Sequence, residues 1–168
     1  MSFAAHGEAL FRNRGLILAC IACLALALSQ PSSESLRAAL VPLTAGVCLR
    51  SWAFIYLGTG GRTRDPSSPQ RRTVGGPYRW LAHPVYASNV VISWSLLFAA
   101  SPGLYLSLVF LGGVVALYCV LGIRESQQLR GLEGTRKEPM LSLSELARSE
   151  RSTWIQLAAF FFVLALKV

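Results

Sequence analysis

The sequence predicts an all-α membrane protein, a single domain over 1–168 with about five transmembrane helices and a cytoplasmic N-terminus. Composition is the first reason. Of the 168 residues, 53% are hydrophobic and only 14% are charged, and the mean hydropathy is +0.47. A soluble domain of this size would struggle to hide so much apolar side chain. The second reason is patterning, because the apolar residues gather into five stretches with basic segments between them.

The five apolar stretches place the predicted helices at about 15–29, 36–57, 85–100, 104–123 and 153–168. About 20 residues are needed to cross the hydrocarbon core, so the first stretch is short for a span. It follows Arg12 and Arg14, and it therefore also fits a secretory signal peptide. Pro42 can kink the second helix. The sequence Ser101-Pro102-Gly103 predicts a tight break between the third and fourth helices.

The distribution of Lys and Arg predicts the orientation in the membrane. The N-terminus and the segments 58–83 and 124–151 are basic, whereas 29–35 and 101–103 contain neither residue. If the helices alternate in direction, all basic segments fall on one side, which the positive-inside rule makes cytoplasmic. Because the basic segments agree in this way only if the first stretch spans the membrane, the pattern favours a first helix that is kept in the protein. It predicts an integral membrane protein, in the inner membrane if the source is bacterial, with any functional site among the basic segments facing the cytoplasm and the lipid bilayer as a partner.

Two other classes of function are disfavoured. The net charge of +8 comes from basic residues spread over short segments, and no compact basic module is visible, so we expect no nucleic-acid partner. All four cysteines lie in apolar stretches. Cys20 and Cys23 form a C-x-x-C, but their neighbours are Leu, Ala and Ile, which offer no further zinc ligands. We therefore expect no metal site and thiols that behave as small hydrophobic groups.

The third and fourth predicted helices form a hairpin that brings distant polar residues to one cytoplasmic end. Pro84 suits the first turn of a helix, so His83 is expected near the N-cap, where the helix dipole favours anions. Tyr86 follows about one turn later. Arg124 and Glu125 are expected just past the end of the fourth helix. Together these groups can bind a zwitterionic or cationic ligand while the apolar helices hold a lipid.

The same residues also have ordinary structural interpretations. His83 could simply cap its helix. Tyr78 and Tyr86 could belong to an aromatic belt at the level of the lipid headgroups. Glu125 could pair with its neighbour Arg124. A single His-Pro-x-Tyr sequence does not decide between these interpretations and a binding site.

The residues around His83 resemble the signature of a known family. Gly76-Pro77-Tyr78-Arg79 followed by His83-Pro84-Val85-Tyr86 is similar to the G-P-Y-x-x-x-R-H-P-x-Y signature of the isoprenylcysteine carboxyl methyltransferase and phospholipid methyltransferase superfamily. Upstream, the stretch 46–58 with Arg50 and Trp52 looks like the helix that precedes this signature. Downstream, Arg124-Glu125 with Leu129 looks like the family's E-E-x-x-L element. The resemblance covers about residues 45–145.

The resemblance implies an integral membrane enzyme that uses S-adenosylmethionine without a Rossmann domain. It implies a lipid-like or isoprenoid-type acceptor that offers a carboxylate, a thiol or an amine. The implied acceptor site lies between helices, with Trp52, Trp94 and Tyr118 as expected lining residues. The implied catalytic residues are His83, Glu125 and Arg124. The implied cofactor-binding residues are Gly76, Pro77, Tyr78, His83, Pro84, Tyr86 and Glu125.

The sequence also departs from the family pattern. Ala82 stands where the family usually has an arginine, Ser126 replaces the second glutamate, and Ser88 stands where glycine is common. The aromatic residues of the family's F-G-x-x-Y-x-x-Y stretch are absent from the aligned residues 133–137. These changes leave open a non-catalytic membrane binding or scaffold protein that keeps the methyltransferase fold. A reductase of the sterol-reductase type is a third alternative, although no G-x-G-x-x-G occurs here.

Overall fold

The computed structural model describes residues 3–58, 72–129, 135–136 and 138–168. This part of the chain forms five helices, which are α1 (Phe3–Ala27), α2 (Ser33–Leu57), α3 (Pro84–Ala100), α4 (Leu104–Leu129) and α5 (Leu143–Ala165). A 3-10 turn covers Gly76–Arg79. Two short parallel strands, β1 (Arg72–Thr73) and β2 (Thr135–Arg136), pair with each other. The prediction of an all-α architecture with five helices is confirmed, apart from this two-residue ladder.

Two of the described helices are long and apolar enough to cross a membrane, namely Ser33–Leu57 and Leu104–Gln127. Only 22% and 28% of their most apolar parts are buried inside the protein, so most of their apolar side chains point outward. That arrangement is typical of helices that contact lipid. The apolar parts of α1 and α3, Gly15–Ala27 and Pro84–Ala100, are shorter. The length criterion therefore supports membrane association through two helices.

Three helices extend beyond the predicted bounds. α1 begins at Phe3 instead of about 15, α4 ends at Leu129 instead of about 123, and α5 begins at Leu143 instead of about 153. The start of α5 is fixed by a capping box. The Ser142 N–H donates to the Glu145 carboxylate at 2.9 Å, and the Glu145 N–H donates to the Ser142 hydroxyl at 3.4 Å. Backbone and then side-chain hydrogen bonds from Ser142 lower the pKa of Glu145. Apolar stretches mark only the apolar part of each helix, so they miss such polar turns.

The helices alternate in direction, as the sidedness argument for the basic segments assumes. At one end, which we call the far end, the Gln30 N–H donates to the Ala100 carbonyl at 2.9 Å. There the Lys167 ammonium also donates to the Leu26 carbonyl at 2.6 Å, which brings the carboxyl ends of α1, α3 and α5 together. At the other end, β1 pairs with β2. We call this second end, which holds the described residues 72–83 and 135–142, the basic end.

α2 and α3 pack at close range through small residues. A Cβ added to Gly46 would lie 2.8 Å from Cγ1 of Ile92, so no larger residue fits there without a shift. The hydroxyl of Ser95 donates across the interface to the Ala39 carbonyl at 2.6 Å, and both residues are fully buried. Small residues let helix backbones approach closely where lipid surrounds the bundle. This packing fixes the position of α3 against α2.

A separate cluster of larger side chains holds α3 against α4 and α1. Its buried members all come from α4, namely Val114, Leu117, Tyr118 and Leu121. Tyr86 and Val90 of α3 pack on it from one side, and Ile17, Leu18 and Ile21 of α1 pack on it from the other. The start of α3 is thereby anchored beside the last turns of α4, as the predicted hairpin requires.

A buried polar network joins α2, α3 and α5. The Arg50 Nε donates to the Glu150 carboxylate at 2.7 Å, and Arg50 Nη1 donates to the side-chain oxygen of Asn89. The Glu150 side chain is 0% exposed and that of Arg50 is 14% exposed. The guanidinium also lies 4.8 Å from the centroid of the Phe54 ring. Glu150 falls within the basic segment 124–151, but it lies two turns inside α5 and binds that helix to the bundle.

Candidate functional site

His83 is the N-cap residue of α3 and Pro84 is its first helical residue, as predicted. The imidazole contacts α4 and does not serve as a side-chain cap for α3. Tyr86 stacks on the ring, with centroids 5.5 Å apart and planes at 20°. A Cβ added to Gly122 of α4 would lie 3.2 Å from His83 Cδ2, so this glycine makes room for the imidazole. The ring is therefore held between Tyr86 and α4.

Both nitrogens of the His83 ring meet side chains of α4. Nδ1 lies 3.1 Å from Oε2 of Glu125, and Nε2 lies 2.7 Å from Oγ of Ser126. A carboxylate can only accept, so in the neutral ring Nδ1–H donates to Glu125 and Nε2 accepts the Ser126 hydroxyl proton. Gly122, Glu125 and Ser126 have the spacing i, i+3, i+4 and share one face of the helix. That face of α4 therefore contacts the His83 ring through all three residues.

The structure changes the expected positions of the two charged site residues of α4. Glu125 was expected just past the end of α4, but it lies inside the helix, which continues to Leu129. It pairs with His83. Arg124 is half-buried, and its side chain projects about 100° around the helix from that of Glu125. The structure thus brings together His83, Tyr86 and Glu125. Arg124 lies roughly 150° around α4 from the centre of the face that meets His83.

The segment Gly76-Pro77-Tyr78 forms the 3-10 turn that packs against α2. Gly76 has φ +55°, and a Cβ added to it would lie 2.5 Å from the Tyr56 ring. Pro77 is fully buried. Burial, and secondarily the charge of Glu125, raises the pKa of Tyr78. The phenol therefore keeps its proton to a higher pH than an exposed tyrosine does.

We expect Gly76→Ala to destabilise the protein by about 1–3 kcal/mol, because alanine at a positive φ is strained and its Cβ would overlap the Tyr56 ring. Thermal unfolding of the detergent-purified variant, followed by circular dichroism, measures the loss. Gly112→Ala is the matched control. A Cβ at Gly112 meets nothing within 4 Å, and alanine favours the helix over glycine by about 1 kcal/mol. Equal melting temperatures for Gly76→Ala and the wild type would contradict the described turn.

An open groove of about 740 Å³ lies between α3 and α4. Its polar end is formed by His83, Ser126 and Gln127. Tyr86 and Tyr118, whose ring centroids are 5.3 Å apart, form its aromatic wall. The remaining wall is apolar and consists mainly of Ala87, Val90, Val115, Cys119 and Ile123. A groove with one polar end and an apolar length matches the shape and polarity of an amphiphile.

Of the three aromatic residues expected to line the acceptor site, Tyr118 lines this groove. Trp52 packs against Trp80, with ring centroids 5.7 Å apart. Trp94 lines a different groove of about 270 Å³ at the far end of α3 and α4. The expectation for Trp52 and Trp94 was wrong for this groove, because sequence position alone does not show which face of a helix a residue occupies.

The positions that depart from the family pattern have definite places in the structure. Ala82 lines the groove beside His83. Ser88 is fully buried, and its hydroxyl donates to the Val85 carbonyl at 2.7 Å, so the serine is accommodated where glycine is common. The F-G-x-x-Y-x-x-Y comparison falls on 133–137, of which Glu133, Gly134 and Lys137 lie outside the described residues.

The sequence analysis missed the roles of Gly122, Ser126 and Gln127. Ser126 appeared there only as a missing glutamate, yet its hydroxyl contacts the central histidine. A signal was available, because Gly122, Glu125 and Ser126 share a helix face that the predicted hairpin directs toward His83. Within the described ranges, no group of three or more His, Cys, Asp or Glu residues is arranged to hold a metal ion.

Comparison with protein-family models, curated proteins and solved structures gives no match. The chemistry of the site therefore has to be argued from its own residues, with the motif resemblance as a guide.

Proposed function

We propose that this protein is an integral membrane methyltransferase that transfers a methyl group from S-adenosylmethionine to a lipid-like acceptor at the cytoplasmic face. The observation that carries the proposal is the position of His83. The histidine of the G-P-Y…H-P-x-Y motif lies at the polar end of an amphiphile-sized groove between α3 and α4. The proposal joins this geometry to the resemblance to the isoprenylcysteine carboxyl methyltransferase and phospholipid methyltransferase superfamily.

The residues at the basic end suit the charges of the cofactor. S-adenosylmethionine carries an ammonium, a carboxylate and a sulfonium. Glu125 offers a carboxylate for the ammonium. The Tyr86 and Tyr118 rings form an aromatic surface that attracts a cationic sulfur. Gly76, Pro77 and Pro84 shape the backbone around Tyr78 and His83.

The groove suits the second substrate. Its apolar wall can hold a hydrocarbon chain, and its polar end keeps the accepting atom near His83. Arg79, which is exposed and whose guanidinium lies 5.9 Å from the Trp80 ring centroid, is available for an anionic headgroup. The side of the groove that faces outward between α3 and α4 gives a lipid a route in from the bilayer.

When bound, the cofactor supplies a methyl group that is already activated. The protein then has to place the acceptor and exclude water, and such alignment contributes on the order of 7–11 kcal/mol for well-oriented reactants. A carboxylate or thiolate acceptor needs no general base. An amine acceptor must be neutral, and His83 or Glu125 can take up its proton. The choice among these acceptors depends on the lipid that enters the groove.

The proposal requires five spans, with the basic end in the cytoplasm. The test uses a variant whose native cysteines are replaced and which carries one new cysteine, at Ser68 or at exposed Glu138. We expect this cysteine to react with a membrane-impermeant maleimide only from the cytoplasmic side. Glu34→Cys, at the far end of α2, is the matched control and should react only from the other side. Labelling of position 68 or 138 from the outer side alone would reject this orientation.

A non-catalytic membrane binding or scaffold protein is the second candidate. The observation that favours it is that Glu125 and Ser126 occupy both nitrogens of His83. A ligand that needs His83 must therefore displace one of them.

The proposed function is tested by methyl transfer in membranes. Membranes containing the protein are incubated with S-adenosylmethionine labelled in the methyl group, and the lipid extract is then counted. We expect label in the lipid fraction with the wild-type protein and background counts with His83→Ala at the same expression level. Equal counts for the two proteins would contradict the assignment, and background counts for both would favour the non-catalytic candidate.

A further inference from the structure

Three side chains at the mouth of the groove form a continuous hydrogen-bonded chain. Ser126 Oγ lies 2.7 Å from His83 Nε2, and His83 Nδ1 lies 3.1 Å from Glu125 Oε2. The order is hydroxyl, imidazole, carboxylate, with each ring nitrogen serving one neighbour. This is the constellation that activates a serine hydroxyl as a nucleophile, and it is recognised by geometry and roles rather than by sequence position.

We propose that Ser126, His83 and Glu125 form a nucleophilic triad that cleaves a carboxylic ester or thioester of an amphiphile whose acyl chain lies in the groove between α3 and α4. Because the carboxylate accepts from Nδ1–H, the lone pair of Nε2 faces the Ser126 hydroxyl. Ser126 is thus the nucleophile, His83 the general base, and Glu125 the positioning residue that holds the tautomer of His83. This activity is separate from methyl transfer and does not need S-adenosylmethionine.

The Ser126 hydroxyl contacts a side chain of another helix, whereas several other helical hydroxyls bond within their own helix. A helical Ser or Thr commonly bonds to a backbone carbonyl one turn earlier. Thr44 donates to the Leu40 carbonyl, Ser88 to that of Val85 and Ser149 to that of Leu146. Ser126 is instead engaged with an imidazole from another helix. The hydroxyl is therefore directed into the site.

The imidazole is held in place before any substrate arrives. Tyr86 stacks on one face of the ring, and Gly122 leaves the room that the ring occupies against α4. Glu125 fixes one nitrogen and Ser126 meets the other. Such preorganisation is what a triad needs, because the base must stay oriented toward the hydroxyl while the proton moves.

The groove indicates the substrate class. His83, Ser126 and Gln127 line its polar end, and the wall beyond them is apolar. An acyl chain along Val90, Val115 and Cys119 would bring its carbonyl group to the polar end. Gln127 also carries amide N–H groups that can donate to the oxygen that becomes negative during attack.

The chemical steps balance with water as the second reactant. Ser126 Oγ forms a bond to the carbonyl carbon, and its proton passes to His83 Nε2. The bond from that carbon to the leaving oxygen or sulfur then breaks, and the leaving group takes the proton from His83. Water repeats the sequence on the acyl-serine, which releases a carboxylic acid and returns Ser126 to its starting form.

The test uses a long-chain alkyl fluorophosphonate, which phosphonylates activated serines, on the full-length protein in detergent. We expect labelling of the wild type, with the modification found on Ser126 by peptide mass spectrometry. Ser126→Ala and His83→Ala should abolish labelling. Glu125→Gln should slow it at least about a hundredfold, in keeping with loss of the orienting carboxylate. Ser144→Ala, an exposed serine near the basic end, is the matched control and should label like the wild type.

Two further readouts separate chemistry from folding. Glu125→Asp should restore labelling, and its labelling rate should depend on pH as that of the wild type does. If Glu125 had only a structural role, the labelling rate of Glu125→Gln would show the same pH dependence as the wild type. Absence of labelling in wild-type protein that melts cooperatively, or labelling that persists in Ser126→Ala, would overturn the triad. S-adenosylmethionine binding is measured on the same samples. If the wild-type protein binds the cofactor but is not labelled, the triad alone is rejected. If the wild-type protein is labelled but does not bind the cofactor, the methyltransferase proposal alone is rejected.

Discussion

His83→Ala is expected to raise the Kd for S-adenosylmethionine about ten- to a hundredfold. A hydrogen bond to a charged group contributes about 1.5–3 kcal/mol, and each 1.4 kcal/mol is a factor of ten in affinity. The variant also removes the ring on which Tyr86 stacks and leaves the Glu125 carboxylate without its imidazole partner. Both changes disturb the surface that the cofactor would contact. Equilibrium dialysis with radiolabelled cofactor and detergent-purified protein measures the change.

His6→Ala is the matched control, because His6 is the other histidine of the chain and lies in α1. It should bind the cofactor like the wild type. The melting temperature of His83→Ala should be measured on the same preparation, so that a loss of affinity is not confused with unfolding. An unchanged Kd in a folded His83→Ala variant would show that the cofactor site is elsewhere.

The largest expected effect on stability comes from Glu150→Ala. Removal of this carboxylate leaves the Arg50 guanidinium among buried groups without its charged partner. Breaking a buried ion pair from one side costs about 3–5 kcal/mol. For a chain of this length, each kcal/mol lowers the melting temperature by about 2–4 °C, so the loss should be about 6–20 °C. Thermal unfolding in detergent, followed by circular dichroism, measures it.

A double replacement distinguishes the charge from the packing. Arg50→Met with Glu150→Leu removes both charges and keeps most of the volume, and such swaps of buried pairs are often neutral or stabilising. We expect the double variant to melt well above Glu150→Ala. Glu138→Ala, at an exposed position, is the matched control and should melt like the wild type. If Glu150→Ala melts like that control, the network does not hold α5 to α2 and α3.

Much of the architecture was predictable because it depends on local signals. Pro84 at the first helical position and His83 at the N-cap follow from the constraints on proline. The break at Ser101 follows from Pro102 and Gly103, and Ser101 indeed adopts a left-handed conformation with φ 47°. If the helices alternate, the order of the basic segments along the chain puts them at one end. These features need only neighbouring residues or the order of segments along the chain.

The remaining features depend on which helix faces meet. The contact of Ser126 with His83 requires the last turns of α4 to lie at the height of the N-cap of α3, and that height is set by packing around Tyr118. The Arg50–Glu150 pair joins residues 100 positions apart. The start of α5 is a different case, because the Ser142-x-x-Glu145 capping box is a local signal that could have been recognised in the sequence. A prediction from hydropathy alone does not detect it, since its residues are polar.

Binding of S-adenosylmethionine to the wild-type protein in lipid nanodiscs can be measured by isothermal titration calorimetry. We expect saturable binding in the micromolar range with about one site per chain. Heats no larger than those of dilution, from protein that melts cooperatively and retains its helical circular dichroism, would contradict the assignment of the basic end as a cofactor site.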